Sequence, residues 1–229
     1  MEEFEDCPVI AAIKDEEGLK RCQHSDIQIV FVLYGDICSI GDIVARLKAA
    51  GKTVIVHLDL IAGLSSREIA VTYIKSVTHA DGIISTKPNV IREAKEEGLF
   101  AIMRFFVIDS IAFDSIRRQT DSVHPDMIEV LPGVMPKIIK RICKESRVPV
   151  IAGGLIADKE DIMAVIDGGG GTTPYPYQPP DRTSGLCKEK NKIEKLRWRV
   201  EIERISYGVF HKCLLYLFLF HRRRFICMM

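Results

Sequence analysis

The run Glu129-Val-Leu-Pro-Gly133, a helix-like segment over Pro136–Ser146, and then Val148-Pro-Val-Ile-Ala-Gly-Gly-Leu-Ile156 decide the fold. A short apolar strand ends in a polar turn, a helix returns, and a second apolar strand ends in Gly153-Gly154. Paired glycines at the end of a buried parallel strand let backbone N–H groups approach a ligand closely. Counted from the N-terminus, the run at 148–152 is the seventh of its kind. In a (β/α)8 barrel the loops after strands seven and eight are where phosphate groups bind. The spacing therefore predicts a barrel that takes a phosphorylated small molecule.

Working outward, the pattern is regular up to Gly168. Near-continuous β-branched runs mark strands over Val9–Ile13, Ile27–Leu33, Thr53–Leu58, Gly82–Ser85, Phe100–Phe105, Met127–Val130 and Val148–Ala152, as expected when helices cover a parallel sheet. Helical patterns lie between them over Ser39–Ala50, Ser66–Thr78, Asn89–Glu97, Ile111–Ser122, Pro136–Ser146 and Lys159–Ile166. Ser66 and Asp158 read as N-caps, Pro136 as a first helical residue, and Gly51 and Gly98 as C-terminal stops. Strict alternation means a parallel α/β architecture, with a doubly wound sheet as the competitor and a TIM-type (β/α) barrel favoured by the even spacing.

At Gly168 the character changes. An eighth strand is due, but prolines at 174, 176, 179 and 180 rule out a central strand there, because each lacks a ladder N–H. Residues 1–168 therefore read as a barrel body with seven βα units. Residues 169–229 read as an atypical tail, Pro-rich and basic, then apolar, standing where the eighth unit belongs. Leu186–Ile205 fits a helix and a strand equally well, and a frame-altered C-terminus is one reading of the whole tail. The charge follows the same division: the 229-residue chain has a net charge of +1, but residues 1–167 carry about −6 and the rest about +7. A basic tail on an acidic body suits an anionic partner, or simply solvent.

Seven cysteines at 7, 22, 38, 143, 187, 213 and 227 show no metal-ligand spacing, which points to a reducing cytoplasm and not a disulfide framework. The acidic N-terminus lacks a signal-peptide core. The longest apolar run, Cys213–Phe220, is too short to span a bilayer, so no membrane partner is expected.

Polar residues at the C-terminal ends of strands are the site candidates, since that face holds barrel sites. They are Lys14, Asp36, His57, Asp59, Ser85, Thr86, Lys87, Arg104, Asp109, Glu129, Gly153 and Gly154. Lys14, Lys87 and Arg104 supply positive charge; Asp59 and Glu129 accept hydrogen bonds from hydroxyls; His57 can donate or accept. Such a ring suits a small phosphorylated polyol. Plainer roles compete: solvation for Lys14, loop capping for Asp59, a core position for His57, tight packing for Gly153 and Gly154, and a mutual ion pair for Arg104 and Glu129. No nucleophile elbow, zinc helix or phosphate loop motif occurs, and the spacing singles out no reaction and no catalytic residue.

The blocks Cys7-Pro-Val-Ile-Ala-Ala-Ile-Lys14, His57-Leu-Asp-Leu-Ile-Ala-Gly-Leu64, Gly82-Ile-Ile-Ser-Thr-Lys87, Arg104-Phe-Phe-Val-Ile-Asp-Ser110, Glu129–Gly133 and Pro149–Ile156 stand in an order that resembles the glycerol uptake operon antiterminator family. The resemblance covers about residues 5–168. It implies a TIM-type barrel without enzymatic turnover, with glycerol 3-phosphate as effector and no cofactor. It also implies a cytoplasmic regulator that binds the leader mRNA of a glycerol-utilisation operon and allows transcription past a terminator. Carried over block by block, the ligand positions are His57, Asp59, Lys87, Arg104, Glu129, Gly153 and Gly154, to which the strand-end reading adds Lys14. The resemblance assigns no RNA surface by residue; the local basic patches are Arg117-Arg118 and Lys137, Lys140, Arg141 and Lys144, the last four largely sharing one helix face, with an ordinary solvated helix as the plainer reading. A phosphosugar-processing barrel enzyme, of aldolase or epimerase type, is the alternative, with Lys14 or Lys87 able in principle to form a Schiff base. The oligomeric state stays open, a homo-oligomer included.

Overall fold

Alternating apolar strands and amphipathic helices close into a ring. The computed structural model describes residues 9–65, 67–156, 161, 164 and, for the backbone, 214–219. Seven parallel strands run in chain order: β1 (Val9–Ile13), β2 (Ile29–Val32), β3 (Thr53–His57), β4 (Gly82–Ser85), β5 (Phe100–Phe106), β6 (Met127–Leu131) and β7 (Val150–Ala152). The helices are α1 (Glu16–Gln23), α2 (Ile40–Ala49), α3 (Glu68–Val77), α4 (Pro88–Glu96), α5 (Ser110–Val123) and α6 (Pro136–Glu145). The seven parallel strands of the expected TIM-type barrel body are thus present, with helices after the first six.

The eighth strand is not where the unit spacing puts it. β8 (Leu214–Leu219) pairs antiparallel with both β1 and β7 and closes the barrel. Ala12 of β1 and Ala152 of β7, both near strand C-termini, pair with Leu214 and Leu217. The chain therefore leaves β7 and enters β8 at the same end of the barrel, which makes the antiparallel sense obligatory; a parallel strand needs a crossover back to the other end. β8 and the barrel body belong to one compact unit. Residues 170–211, which include the Pro-rich segment and Leu186–Ile205, lie outside the described residues, as do Ser66, Asp158 and most of the expected helix over 159–166.

Local chemistry explains the boundaries. Asp15 caps α1 by accepting from the Gly18 N–H at 2.8 Å. Pro88 and Pro136 occupy first-turn positions, where the missing N–H costs nothing. Gly51 and Gly98 end α2 and α4 with φ of +75° and +74°. β7 begins two residues later than its apolar run. The Ser146 hydroxyl engages the Val148 N–H and carbonyl at 3.2 and 2.6 Å, and Pro149 has no N–H to give. β3 ends at His57 because Leu58–Leu60 winds into a 3-10 turn.

Alternation sorts the two faces of the sheet. A Cβ placed on Gly18 of α1 would lie 3.3 Å from the Ile13 Cβ, so Ile13 faces the helix layer. By register the inward set then includes Ile10, Ala12, Phe31, Ile55, His57, Gly82, Ile84, Ile102, Arg104, Glu129 and Ile151. All but Gly82 of these are drawn from residues with at most 5% exposure. Gly82 is required by space: a Cβ there would meet the Phe100 carbonyl oxygen at 2.2 Å and Ile55 Cδ1 at 2.9 Å.

Candidate functional site at the barrel mouth

The inward face is apolar until its C-terminal end, where three polar side chains enter it. Arg104 and Glu129 are register partners on β5 and β6. Arg104 Nε donates to Glu129 Oε2 at 2.5 Å and its Nη2 to Oε1 at 3.1 Å. The guanidinium is 5% exposed and the carboxylate fully buried. A bidentate fork of this kind compensates much of the desolvation that burying both charges demands.

His57, at the end of β3, is 2% exposed, and its Nδ1 has no hydrogen-bond partner. Burial pushes the imidazole pKa down to about 3, the Arg104 charge pushes the same way, and Asp59 opposes both. The ring is therefore neutral at physiological pH, with one nitrogen available to a ligand.

Asp59 is half-buried in the 3-10 turn after β3 and reaches across to the end of β4. It accepts from the Ser85 hydroxyl at 2.8 Å, the Thr86 N–H at 2.7 Å and the Thr86 hydroxyl at 2.9 Å. Burial alone would raise its pKa, but these hydrogen bonds outweigh that and hold it below the ordinary carboxylate value. Lys14, one inward step beyond Ala12, and Lys87, after β4, are both exposed at the rim.

The other aspartates at strand ends serve their own loops. Asp36 accepts from the Cys38 and Ser39 N–H groups and the Ser39 hydroxyl at 2.8–2.9 Å. Asp109 caps α5 through the Ala112 N–H at 2.7 Å. The structure thus brings His57, Asp59, Arg104 and Glu129 to one sector spanning β3 to β6, places Lys87 on the rim after β4 and Lys14 on the rim after β1, and leaves Asp36 and Asp109 as caps.

At the glycine pair the Gly153 N–H is already committed to the Val130 carbonyl at 2.9 Å. Gly154 and Leu155 follow with φ of +80° and +64°. Leu155 is 69% exposed, so neither packing nor burial rewards its left-handed backbone, which costs about 1 kcal/mol. No hydrogen bond among the described residues engages the Gly154 or Leu155 N–H. These two amides, not that of Gly153, are the donors open to an anion.

Sequence reasoning missed Gly133. Its N–H donates to the Gly154 carbonyl at 2.9 Å, and a Cβ there would meet Ile156 Cδ1 at 2.6 Å and the Gly153 nitrogen at 3.1 Å. The Leu-Pro-Gly turn is therefore pressed against the glycine pair. The signal was the glycine itself, directly after a strand-ending proline.

The basic candidates lie elsewhere, on the outer helices. Lys137, Lys140, Arg141 and Lys144 are exposed along α6, and Arg117 and Arg118 along α5. Arg141 stacks over the Phe113 ring at 4.3 Å and pairs with Glu145 at 3.2 Å. Arg117 and Arg147 both approach Asp121, at 3.9 and 3.3 Å. Among the described residues no cluster of side chains could hold a metal ion, and no helix is long and apolar enough to cross a membrane.

Comparison with known proteins settles the family. The model of the glycerol-3-phosphate responsive antiterminator family matches residues 9–172. An uncharacterized Escherichia coli protein, YgcP, is 46% identical over 162 residues, covering 71% of this chain and 85% of that one. The crystal structure of a glycerol uptake operon antiterminator regulatory protein from Listeria monocytogenes superposes with a TM-score of 0.67 at 34% identity, covering 70% of this chain and 86% of that one. A glycerol uptake operon antiterminator-related protein from Thermotoga maritima gives 0.62 at 34% identity, covering 69% and 89%. An aldolase gives 0.54 at 13% identity over 73% and 87%, a likeness of fold alone. With seven parallel strands, a polar sector at the strand ends and a family match over most of its length, the chain belongs to the glycerol-3-phosphate-responsive antiterminator family.

Proposed function

We propose that this chain is a cytoplasmic, ligand-gated regulator that binds the leader mRNA of a glycerol-utilisation operon when glycerol 3-phosphate occupies the barrel mouth, and so permits transcription past a terminator. The observation that carries the ligand half is the Arg104–Glu129 fork beside a neutral His57. Together they offer fixed positive charge, a carboxylate acceptor and an unpartnered ring nitrogen within one apolar-walled sector. In this reading the phosphate meets the Gly154 and Leu155 amides after β7, with Gly153 shaping the turn, and Lys14 and Lys87 close over it from the rim. Glu129, Asp59 and His57 take the glycerol hydroxyls. Glycerol 3-phosphate is the one small molecule the proposal requires.

The enzyme alternative is weaker. A Schiff-base lysine is activated by desolvation or by a neighbouring cation. Both candidate lysines, Lys14 and Lys87, are solvent-exposed.

Calorimetric titration of the full chain with glycerol 3-phosphate tests the proposal, with glycerol and inorganic phosphate as comparison ligands. Binding of the phosphate ester, weakened about tenfold by Lys87→Ala through loss of one charge-assisted contact, is the expected result. A flat titration, or turnover of a triose or pentose phosphate, would overturn it. A gel shift with the leader RNA at fixed salt, with and without glycerol 3-phosphate, then tests the RNA half.

A further inference from the structure

The geometry points to the outer face of α6 as the surface that docks RNA, placed so that the effector site can act on it; this rests on the antiterminator reading above. Lys137, Lys140, Arg141 and Lys144 fall at i, i+3, i+4 and i+7, within roughly one third of the helix circumference, while Ile139 and Ile142 on the other side are buried. The cations are not equivalent. Arg141 is held over Phe113 and paired with Glu145, and Arg117 and Arg147 share Asp121. Lys137, Lys140 and Lys144 are exposed and form no ion pair among the described residues. The stripe stands out because residues 1–167 are acidic overall. Three unneutralised ammonium groups in a row suit successive phosphates of a nucleic-acid strand.

The second observation is position. β6 delivers Glu129 to the mouth and, after the turn containing Gly133, leads into α6 at Pro136. Lys137 is thus eight residues from Glu129. The Gly133 N–H is bonded to the Gly154 carbonyl, and the turn abuts Ile156 and Gly153. Whatever shifts the glycine turn after β7 shifts the start of α6. No other helix carrying a basic stripe is bonded to that turn among the described residues.

The test uses the full chain with lysines 137, 140 and 144 all replaced by glutamine (K137Q, K140Q, K144Q). A control replaces Lys20, Arg67 and Arg92, exposed elsewhere on the barrel, by glutamine. Leader-RNA binding is measured by filter retention across a salt series with glycerol 3-phosphate present, and effector binding by calorimetry. The expected result is that the α6 variant loses about two from the slope of log affinity against log salt, and at least tenfold in affinity at about 0.1 M salt. Its affinity for glycerol 3-phosphate and its melting temperature should stay those of the unaltered chain, and the control should match that chain in all respects. Unchanged RNA binding by the α6 variant would overturn the surface while leaving the antiterminator reading intact. Failure of the unaltered chain to retain leader RNA would overturn both, as would capture of the lysine face by phosphatidylserine vesicles without RNA binding.

Discussion

The two ends of this barrel use the same residue type for different ends. At the N-terminal end Asp81 and Asp126 precede β4 and β6 and do one job twice. Asp81 accepts from the Val54 N–H at 2.7 Å and from Lys48 of α2 at 2.8 Å. Asp126 accepts from the Ala101 N–H at 2.9 Å and from Lys95 of α4. Each stitches a strand to its neighbour and to a helix two units back in chain order. At the C-terminal end the carboxylates diverge: Asp36 and Asp109 serve their own loops, Asp59 crosses to β4, and Glu129 holds a buried arginine. Among the described residues the exposed apolar surface is equally lopsided. Ile37, Leu60, Ile69, Phe106, Ile108, Ile111, Val134 and Leu155 are exposed around the C-terminal end, with Val77 as the counterpart near the other. One end repeats a stabilising device; the other gives up local optimality, with a buried charge pair, an unpartnered imidazole nitrogen and a left-handed leucine.

The sharpest way to break this contrast is at Glu129. Glu129→Leu takes the bidentate carboxylate away from the buried Arg104 guanidinium and should cost about 3–5 kcal/mol in urea unfolding. Adding Arg104→Met should recover most of that loss, because two apolar side chains need no pairing. A double variant as unstable as the single would mean that the pair supports the fold as the N-terminal aspartates do.

His57 gives the next largest effect. Its folded pKa of about 3 lies below the ordinary 6.5, so the folded state resists protonation. Its contribution is complete above pH 6.5 and drains as pH falls toward 3, at up to about 1.4 kcal/mol per pH unit. His57→Gln should flatten that part of the stability profile measured by denaturant titration. A profile that keeps its slope would show that the imidazole is hydrated or paired in solution.

Asp126→Ala and Asp59→Ala give the smallest changes in stability, about 1–2 kcal/mol each in melting experiments, because both carboxylates are partly exposed. The comparison is sharpened by calorimetry: affinity for glycerol 3-phosphate should be unchanged in Asp126→Ala and about tenfold weaker in Asp59→Ala. Equal affinities in the two variants would remove Asp59 from the ligand site.

The amino-acid sequence alone determined the parallel βα body. Hydrophobic period, Pro136 at a helix start, and Gly51 and Gly98 after helix ends are local instructions, read within one turn or one strand. Strand ends were legible to within two residues, and the departures at β7 and β3 trace to local competitors: Pro149 and the Ser146 hydroxyl at β7, the 3-10 turn after His57 at β3. What tertiary structure decided is which partners those residues meet. Asp36, Asp59 and Asp109 look alike in the chain, and only register brings Ser85 and Thr86, some 26 residues away, to Asp59 and not to the others. Arg104 and Glu129 pair because β5 and β6 align them as opposite neighbours on an inward face, which no local pattern states. The antiparallel closure by Leu214–Leu219 follows from the end at which the chain returns to the ring, a global property. Sequence period fixes which way a side chain points; the folded register fixes what it touches, and it is the touching that makes a site.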